Sequence, residues 1–295
     1  MNSLSILLPT YNCRCATLVA ELHRQCEAIP GLDYEIIVAD DGSSRKDIIE
    51  ENRQIETLTH VSYIRRQENV GRACIRNFLA REAHKPWLLF IDGDRQPASP
   101  HFIANYLACQ ATAVACGGLR TGGDPTALRG NLRYAIERRY EPHNTARHRQ
   151  QQPYRNFNTS NFLVRRDILL AHPFDERFRR YGYEDVMWGK TLAQHGIPIL
   201  HTDNPILIDD YETNPDFIRK TEEGMHTLAR FATELHDYSG VIRTWQRLHR
   251  LRLTWALRAT HRLLGAAIKK RLKGNKPSIF LFNLYKLTLY SHIRQ

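Results

Sequence analysis

Short apolar runs and longer amphipathic stretches alternate through the first third of the chain. The runs at residues 4–8, 34–39, 61–64 and 87–91 predict strands, and the stretches at 17–28, 47–58 and 72–83 predict the helices between them. Near-continuous apolar runs separated by helices are what a parallel sheet covered on both faces requires. The pattern therefore predicts a doubly wound α/β fold. In such sheets ligands bind outside the carboxyl ends of the strands, near the point where strand order reverses. The polar residues after each run are the positions to search.

Beyond that region the pattern loosens. Residues 120–158 are polar, punctuated by Gly and Pro and rich in Arg and His, and read as a long mobile excursion over the site, ordered with substrate. Regular patterning returns with a strand at 162–164, a helix over 184–194 and a strand at 198–201. The tail then changes character. Val241, Trp245, Leu248, Leu251, Trp255, Ala259, Leu263 and Ala267 recur at three- and four-residue steps, as on one face of a helix. Arg243, Arg247, Arg250, Arg258, Arg262, Lys269 and Lys270 fill much of the remainder. This divides the chain into a domain over 1–235 and a basic amphipathic helical extension over 236–295.

Composition fits an ordinary globular protein, with 42% hydrophobic and 25% charged residues. The charge adds a constraint. With 42 Lys and Arg against 31 Asp and Glu, the formal charge of +11 points to an anionic partner. No helix-turn-helix, zinc-finger or RNA-binding aromatic signature accompanies it, so nucleic acid is not the expected partner. The cysteines (Cys13, Cys15, Cys26, Cys74, Cys109 and Cys116) form neither a CxxC pair nor a zinc-like grouping. No segment has the length and apolarity of a transmembrane helix, and no leader pattern opens the sequence, so a cytoplasmic location is expected.

Each strand end carries polar chemistry. The first ends in Pro9-Thr10-Tyr11-Asn12 and the second in Asp40-Asp41-Gly42-Ser43-Ser44. A turn and a helix cap account for the latter as well as a binding site does. The fourth ends in Asp92-Gly93-Asp94, two carboxylates about a glycine. This is either a plain turn or an oxygen-ligand site for Mg²⁺ or Mn²⁺ completed by substrate phosphates. Further on, Glu184-Asp185 opens a helix, where acidic residues also serve simply as partners of the helix dipole.

Taken in order, these segments resemble one family. Residues 8–12, residues 35–43, Asn69-Val70-Gly71-Arg72 with Ile75-Arg76-Asn77, residues 90–94 and Gly182-Tyr183-Glu184-Asp185 are similar to the ordered motifs of glycosyltransferase family 2. The resemblance extends over about residues 1–235. It implies a GT-A fold, Rossmann-like, with a mostly parallel sheet flanked by helices, and here a C-terminal helical extension. It also implies an inverting hexosyl- or N-acetylhexosaminyltransferase with a nucleotide-diphosphate sugar donor, most commonly UDP-linked, and a role in polysaccharide biosynthesis. By that resemblance Pro9, Thr10, Tyr11 and Asp41 face the nucleotide, with Asp40 supporting the turn. Arg72 and Arg76 serve the donor phosphates or orient Asp92. Asp92 and Gly93 lie by the ribose or metal, Asp94 binds the metal (Mn²⁺ or Mg²⁺), and Asn161 touches a sugar. Asp185 is the general base and Glu184 binds acceptor hydroxyls.

One position departs from the family pattern. Ile208 stands where a metal-completing histidine is expected, leaving His201, Asp209, Asp210 or water for that place. The departure keeps open a non-catalytic nucleotide-sugar-binding relative. The acceptor implied is a glycan or a lipid-linked sugar. The basic tail suits either an interfacial helix on an anionic membrane surface, peripheral on the inner face, or a helical appendage packed on the domain.

Overall fold

The computed structural model describes residues 1–109, 111 and 113–294. In chain order its elements are β1 (Ser3–Thr10), α1 (Ala16–Glu27), β2 (Asp33–Asp40), α2 (Lys46–Arg53), β3 (Val61–Arg65), α3 (Arg72–Glu82), β4 (Trp87–Ile91), β5 (Gln96–Pro97), α4 (Phe102–Leu107), β6 (Val114–Cys116) and β7 (Leu119–Thr121). They continue as α5 (Leu132–Tyr140), α6 (Ala146–Arg149), β8 (Asn161–Arg165), α7 (Arg166–Ala171), α8 (Glu184–Gln194), β9 (Ile199–His201) and β10 (Ile206–Ile208). The helices α9 (Asn214–Arg230), α10 (Gly240–Arg250), α11 (Thr254–Lys273) and α12 (Ile279–Ile293) follow.

The apolar runs form the expected sheet. Among the described residues, a seven-stranded sheet has the order β3-β2-β1-β4-β8-β6-β9, and a three-stranded sheet the order β5-β10-β7. β1 pairs parallel with both β2 and β4, while β8 runs antiparallel to β4 and β6. Strand order therefore reverses between β1 and β4, and the site predicted for that point has its frame there.

Two compact units emerge, and each is coherent in itself. The first comprises residues 1–122, 142–179 and 184–209. On one face of its sheet, Ile6, Leu8, Ile36 and Val38 join Leu18, Val19 and Leu22 of α1 and Phe102, Ile103 and Tyr106 of α4 in a single buried cluster. Each fully buried aliphatic of this kind contributes about 1.5–3 kcal/mol. An aromatic cluster is equally closed. Phe90 stacks on Phe162 at 4.8 Å between ring centres, and Trp188 lies 5.5 Å from Phe162, 5.0 Å from Phe157 and 4.8 Å from Phe174.

The second unit comprises residues 123–141, 180–183 and 210–295. Asn214 ties its segments together, donating to Gly130 O and Gly274 O at 2.8 Å each and accepting from Leu132 N at 2.7 Å. α9 starts where a Thr213 side chain caps it and Pro215 occupies its first turn. Glu222 of α9 binds Lys269 of α11 at 2.7 Å and accepts from Tyr285 of α12. Phe217 stacks on Phe282 at 5.4 Å.

Two sequence expectations are corrected. Residues 120–158 are not one irregular excursion: they include α5 and α6, and α6 carries the buried Arg149. The tail is not one helix either. α10 ends in a Schellman turn, with Leu253 N bonded to Leu248 O, Arg252 N bonded to His249 O, and Arg252 at φ 58°. After this break the buried face of α11 is Thr254, Gly265, Ile268 and Leu272, so the stripe of Trp255, Ala259, Leu263 and Ala267 turns away from it. Among the described residues no helix is long and apolar enough to cross a membrane.

Candidate active site

The carboxyl ends of β1, β2 and β4 meet through backbone and side-chain contacts that the sequence motifs supply. β1 delivers Pro9, Thr10 and Tyr11, of which Thr10 is buried and Tyr11 half exposed. Asn12, at φ 50°, accepts from Ser44 N and Arg45 N at 3.0 and 3.1 Å and so fixes the loop after β2. Asp40 accepts from Ser43 N at 2.8 Å and from Tyr63 Oη at 2.7 Å. Asp41 is buried as well. Its two oxygens accept from Val70 N and Gly71 N, at 3.1 and 3.0 Å, and burial raises its pKa against those donors. Asp41 thereby clamps the loop that starts α3.

Gly71 and Gly93 are demanded by contact. Gly71 caps α3 at φ 91°, and a Cβ there would lie 2.5 Å from Arg179 O. A Cβ on Gly93 would lie 2.5 Å from Thr10 Cγ2, so the Asp92-Gly93-Asp94 loop rests directly on the end of β1.

A buried charge network lies behind that loop. Arg72 and Arg76 are one helical turn apart on α3. Arg76, 1% exposed, donates to Asp92 Oδ1 at 2.7 Å and lies 3.6 Å from Glu184 Oε1. Arg72, 48% exposed, lies 3.8 Å from the same Glu184 oxygen. Burial pushes the Asp92 carboxyl up, but Arg76 and then Arg72 outweigh it and hold the group below the usual carboxylate range. Asp185 is shifted the other way. Burial first, and the neighbouring Glu184 second, raise its pKa to about 7, against the opposing Val186 N–H and the two arginines. Two adjacent carboxylates thus stand apart: Glu184 neutralises arginines, and Asp185 holds a proton near neutrality. Trp188, one turn along α8, anchors both through the aromatic cluster and through its own hydrogen bond to His172 O at 2.8 Å.

Asp94 is 42% exposed at the mouth of the loop, with Arg95 Nε 3.3 Å away. Among the described residues no three His, Cys, Asp or Glu side chains converge as a metal cage. The donor set, one half-exposed carboxylate with a second at Asp92, fits a cation that completes its shell from diphosphate and water.

Some expected residues are placed elsewhere. Asn161 is buried with Oδ1 accepting from Tyr106 Oη at 2.6 Å and Nδ2 donating to Gly118 O and Asn204 O. Its side chain is engaged within the protein at the start of β8. Glu184 is 4% exposed and faces the arginines, not open space for an acceptor. The structure does not bring His201 to the aspartates. Its Nε2 faces Pro153 O at 3.0 Å and its Nδ1 faces Arg149 Nη1 at 2.9 Å. An arginine only donates and a carbonyl only accepts, so the ring is neutral with its proton on Nε2. Burial lowers its pKa to about 4. Ile208 is buried in β10, paired in register with Thr121 of β7, while Asp209 and Asp210 are exposed. Arg95 was not anticipated. It is 5% exposed and its Nη1 has no hydrogen-bond partner, and its place directly after the Asp92-Gly93-Asp94 motif was the available signal.

Comparison with known proteins adds to this geometry. The family model for glycosyl transferase family 2 matches residues 5–171. The chain is 31% identical over 230 residues to validoxylamine A glucosyltransferase of Streptomyces hygroscopicus subsp. jinggangensis, covering 66% of this chain and 52% of that protein. It is 35% identical over 108 residues to chondroitin synthase of Escherichia coli, covering 36% of this chain and 15% of the synthase. The chain thus spans about half the length of the glucosyltransferase it matches. In structure it is similar to the mannosyltransferase PcManGT of Pyrobaculum calidifontis, solved with GDP-Man and Mn²⁺, with a TM-score of 0.57 at 14% identity over 99% of this chain and 85% of that one. It is also similar to S. aureus TarS residues 1–349 with UDP, with a TM-score of 0.53 at 15% identity over 99% and 89%. At those identities the likeness is one of fold.

Proposed function

From the premise that the chain belongs to glycosyl transferase family 2, we propose that it is an inverting transferase of a hexose or N-acetylhexosamine. The donor is a nucleotide-diphosphate sugar, UDP-linked by first choice, and the acceptor is a hydroxyl of a glycan or lipid-linked sugar in polysaccharide biosynthesis. The fold is the GT-A fold that the sequence resemblance implied. Solved relatives of that fold hold GDP-Man with Mn²⁺ and UDP, which supports a nucleotide-sugar donor and a divalent cation, Mn²⁺ or Mg²⁺. Residues 1–235 form the catalytic domain in this reading and 236–295 its helical extension. The protein works in the cytoplasm, with an anionic membrane surface as a partner of the basic extension.

The observation that carries the reading is the placement of Asp185 in the first turn of α8, beside the buried Glu184 that Arg72 and Arg76 face, where burial and Glu184 raise its pKa to about 7. In the reaction the acceptor oxygen bonds to the anomeric carbon from the face opposite the diphosphate. The bond from that carbon to the diphosphate oxygen breaks, and the acceptor proton passes to a carboxylate oxygen of Asp185. Arg72, half exposed, pairs with donor phosphate, while the buried Arg76 holds Asp92 in place. Asp94, with Asp92 behind it, would hold the cation, which when bound supplies Lewis-acid neutralisation of the leaving diphosphate.

The test is Asp185→Asn. Turnover should fall about 10²–10⁴-fold, while calorimetry shows donor affinity within a few-fold of the parent. Loss of donor binding instead overturns the base assignment. A thermal-shift panel of nucleotide sugars with Mn²⁺ finds the donor, since a ligand at 100 times its Kd adds about 2.7 kcal/mol. A panel with no shift overturns the donor class.

A further inference from the structure

Residues 238–295 carry 13 Lys and Arg and no Asp or Glu. The other 237 residues hold 29 basic side chains against all 31 acidic ones, a formal charge of −2, so the whole surplus of +11 lies in this stretch. Within the second unit the distribution is sharper still. α11 buries Thr254, Gly265, Ile268 and Leu272; at 100° per residue Leu263 and Lys270 lie opposite that face, and Trp255, Arg262 and Lys273 lie about a quarter-turn round on one exposed flank. Trp255 is 67% exposed and Leu263 81%. A lone exposed leucine means little. An exposed Trp and Leu spaced two turns apart on a helix face edged by cations make an interfacial surface.

We propose that this outward face of α11 docks on an anionic lipid bilayer. Trp255 and Leu263 enter the boundary between headgroups and acyl chains, and Arg262, Lys270 and Lys273 pair with lipid phosphates. The inference rests on the membrane-surface partner of the proposed function and not on the transfer chemistry. Charge complementarity selects the lipid's sign, since nothing acidic interrupts the stretch. The apolar side chains select a bilayer over a nucleic acid, because a phosphate backbone offers Leu263 nothing to be buried in.

The experiment is co-sedimentation of the full chain with vesicles of phosphatidylcholine alone, or with about a third phosphatidylglycerol. The protein should partition onto the anionic vesicles at low salt and be released by high salt. Lys270→Gln and Lys273→Gln should each weaken partitioning about fivefold. Trp255→Ala with Leu263→Ser should weaken it about tenfold or more, with the circular-dichroism spectrum unchanged because both side chains are exposed. Brominated lipid should quench part of the parent's tryptophan fluorescence, which needs no variant. Equal binding to both vesicle types, binding indifferent to Trp255 and Leu263, or tighter binding to duplex DNA at the same phosphate concentration would each overturn the proposal. Sugar transfer to a soluble acceptor is a separate readout, so failure of one reading is distinguishable from failure of the other.

Discussion

Arginine serves opposite ends in the two compact units. At the head of the sheet, Arg76 is almost wholly buried and its position is fixed by Asp92 and Glu184. On α11, Arg262 is exposed in a stretch with no acidic residue. A buried cation is useful only through its partners, because an unpartnered charge in the interior is expensive. A surface cation acts through numbers and screening, and any single one counts for little. The contrast separates a site built on geometry from a surface built on charge density.

The largest test of that contrast is Arg76→Met. It takes from Asp92 its hydrogen-bonded counter-ion, leaves Glu184 only the half-exposed Arg72, and should cost about 3–5 kcal/mol in urea denaturation. A cost no greater than that of a surface change would mean that the network does not depend on its cation.

Next comes pH. Transfer should rise about tenfold per unit up to the Asp185 pKa of about 7 and then level. Stability should move oppositely. The folded state holds the Asp185 proton more tightly than the unfolded chain, so this contribution is present at acid pH and is lost as pH climbs from the ordinary carboxyl range through about 7. Melting curves of the parent against Asp185→Asn should differ in slope across that window; parallel curves would contradict the shift.

A smaller effect is expected at the α10–α11 corner. Arg252→Gly removes a left-handed non-glycine residue and should stabilise by about 1 kcal/mol, provided that lipid-free protein is measured. Smallest of all, Arg262→Gln should change stability by less than about 0.5 kcal/mol, which calorimetry in the absence of vesicles checks.

The sheet and the strand-end chemistry were legible because they follow local rules. Apolar runs marked β1, β2 and β4, and Glu184 marked the start of α8. What was hidden depended on distant partners. Residues 142–156 read as loop because they are polar, yet Arg149 is buried with Cys116 O, Gly117 O and Thr202 O as acceptors, none of which a local window reveals. The family resemblance gave Asn161 a sugar contact but not its burial, because its partners Tyr106 and Asn204 lie 55 and 43 residues away. The break before α11 left no sign either, since Arg252 occupies a place usually marked by glycine.

The closeness of Gly93 to Thr10 has a consequence for precision. Two loops far apart along the chain are spaced by the absence of one methyl group, whose Cβ would sit 2.5 Å from Thr10 Cγ2. That spacing behaves as a fixed gauge between the β1 end at Tyr11 and the β4 end at Asp94. Transfer chemistry is sensitive to misplacements of about 1 Å. The gauge can therefore be spoiled without removing a single charge, and the tolerance of the site is set by a residue that contributes no functional group to it.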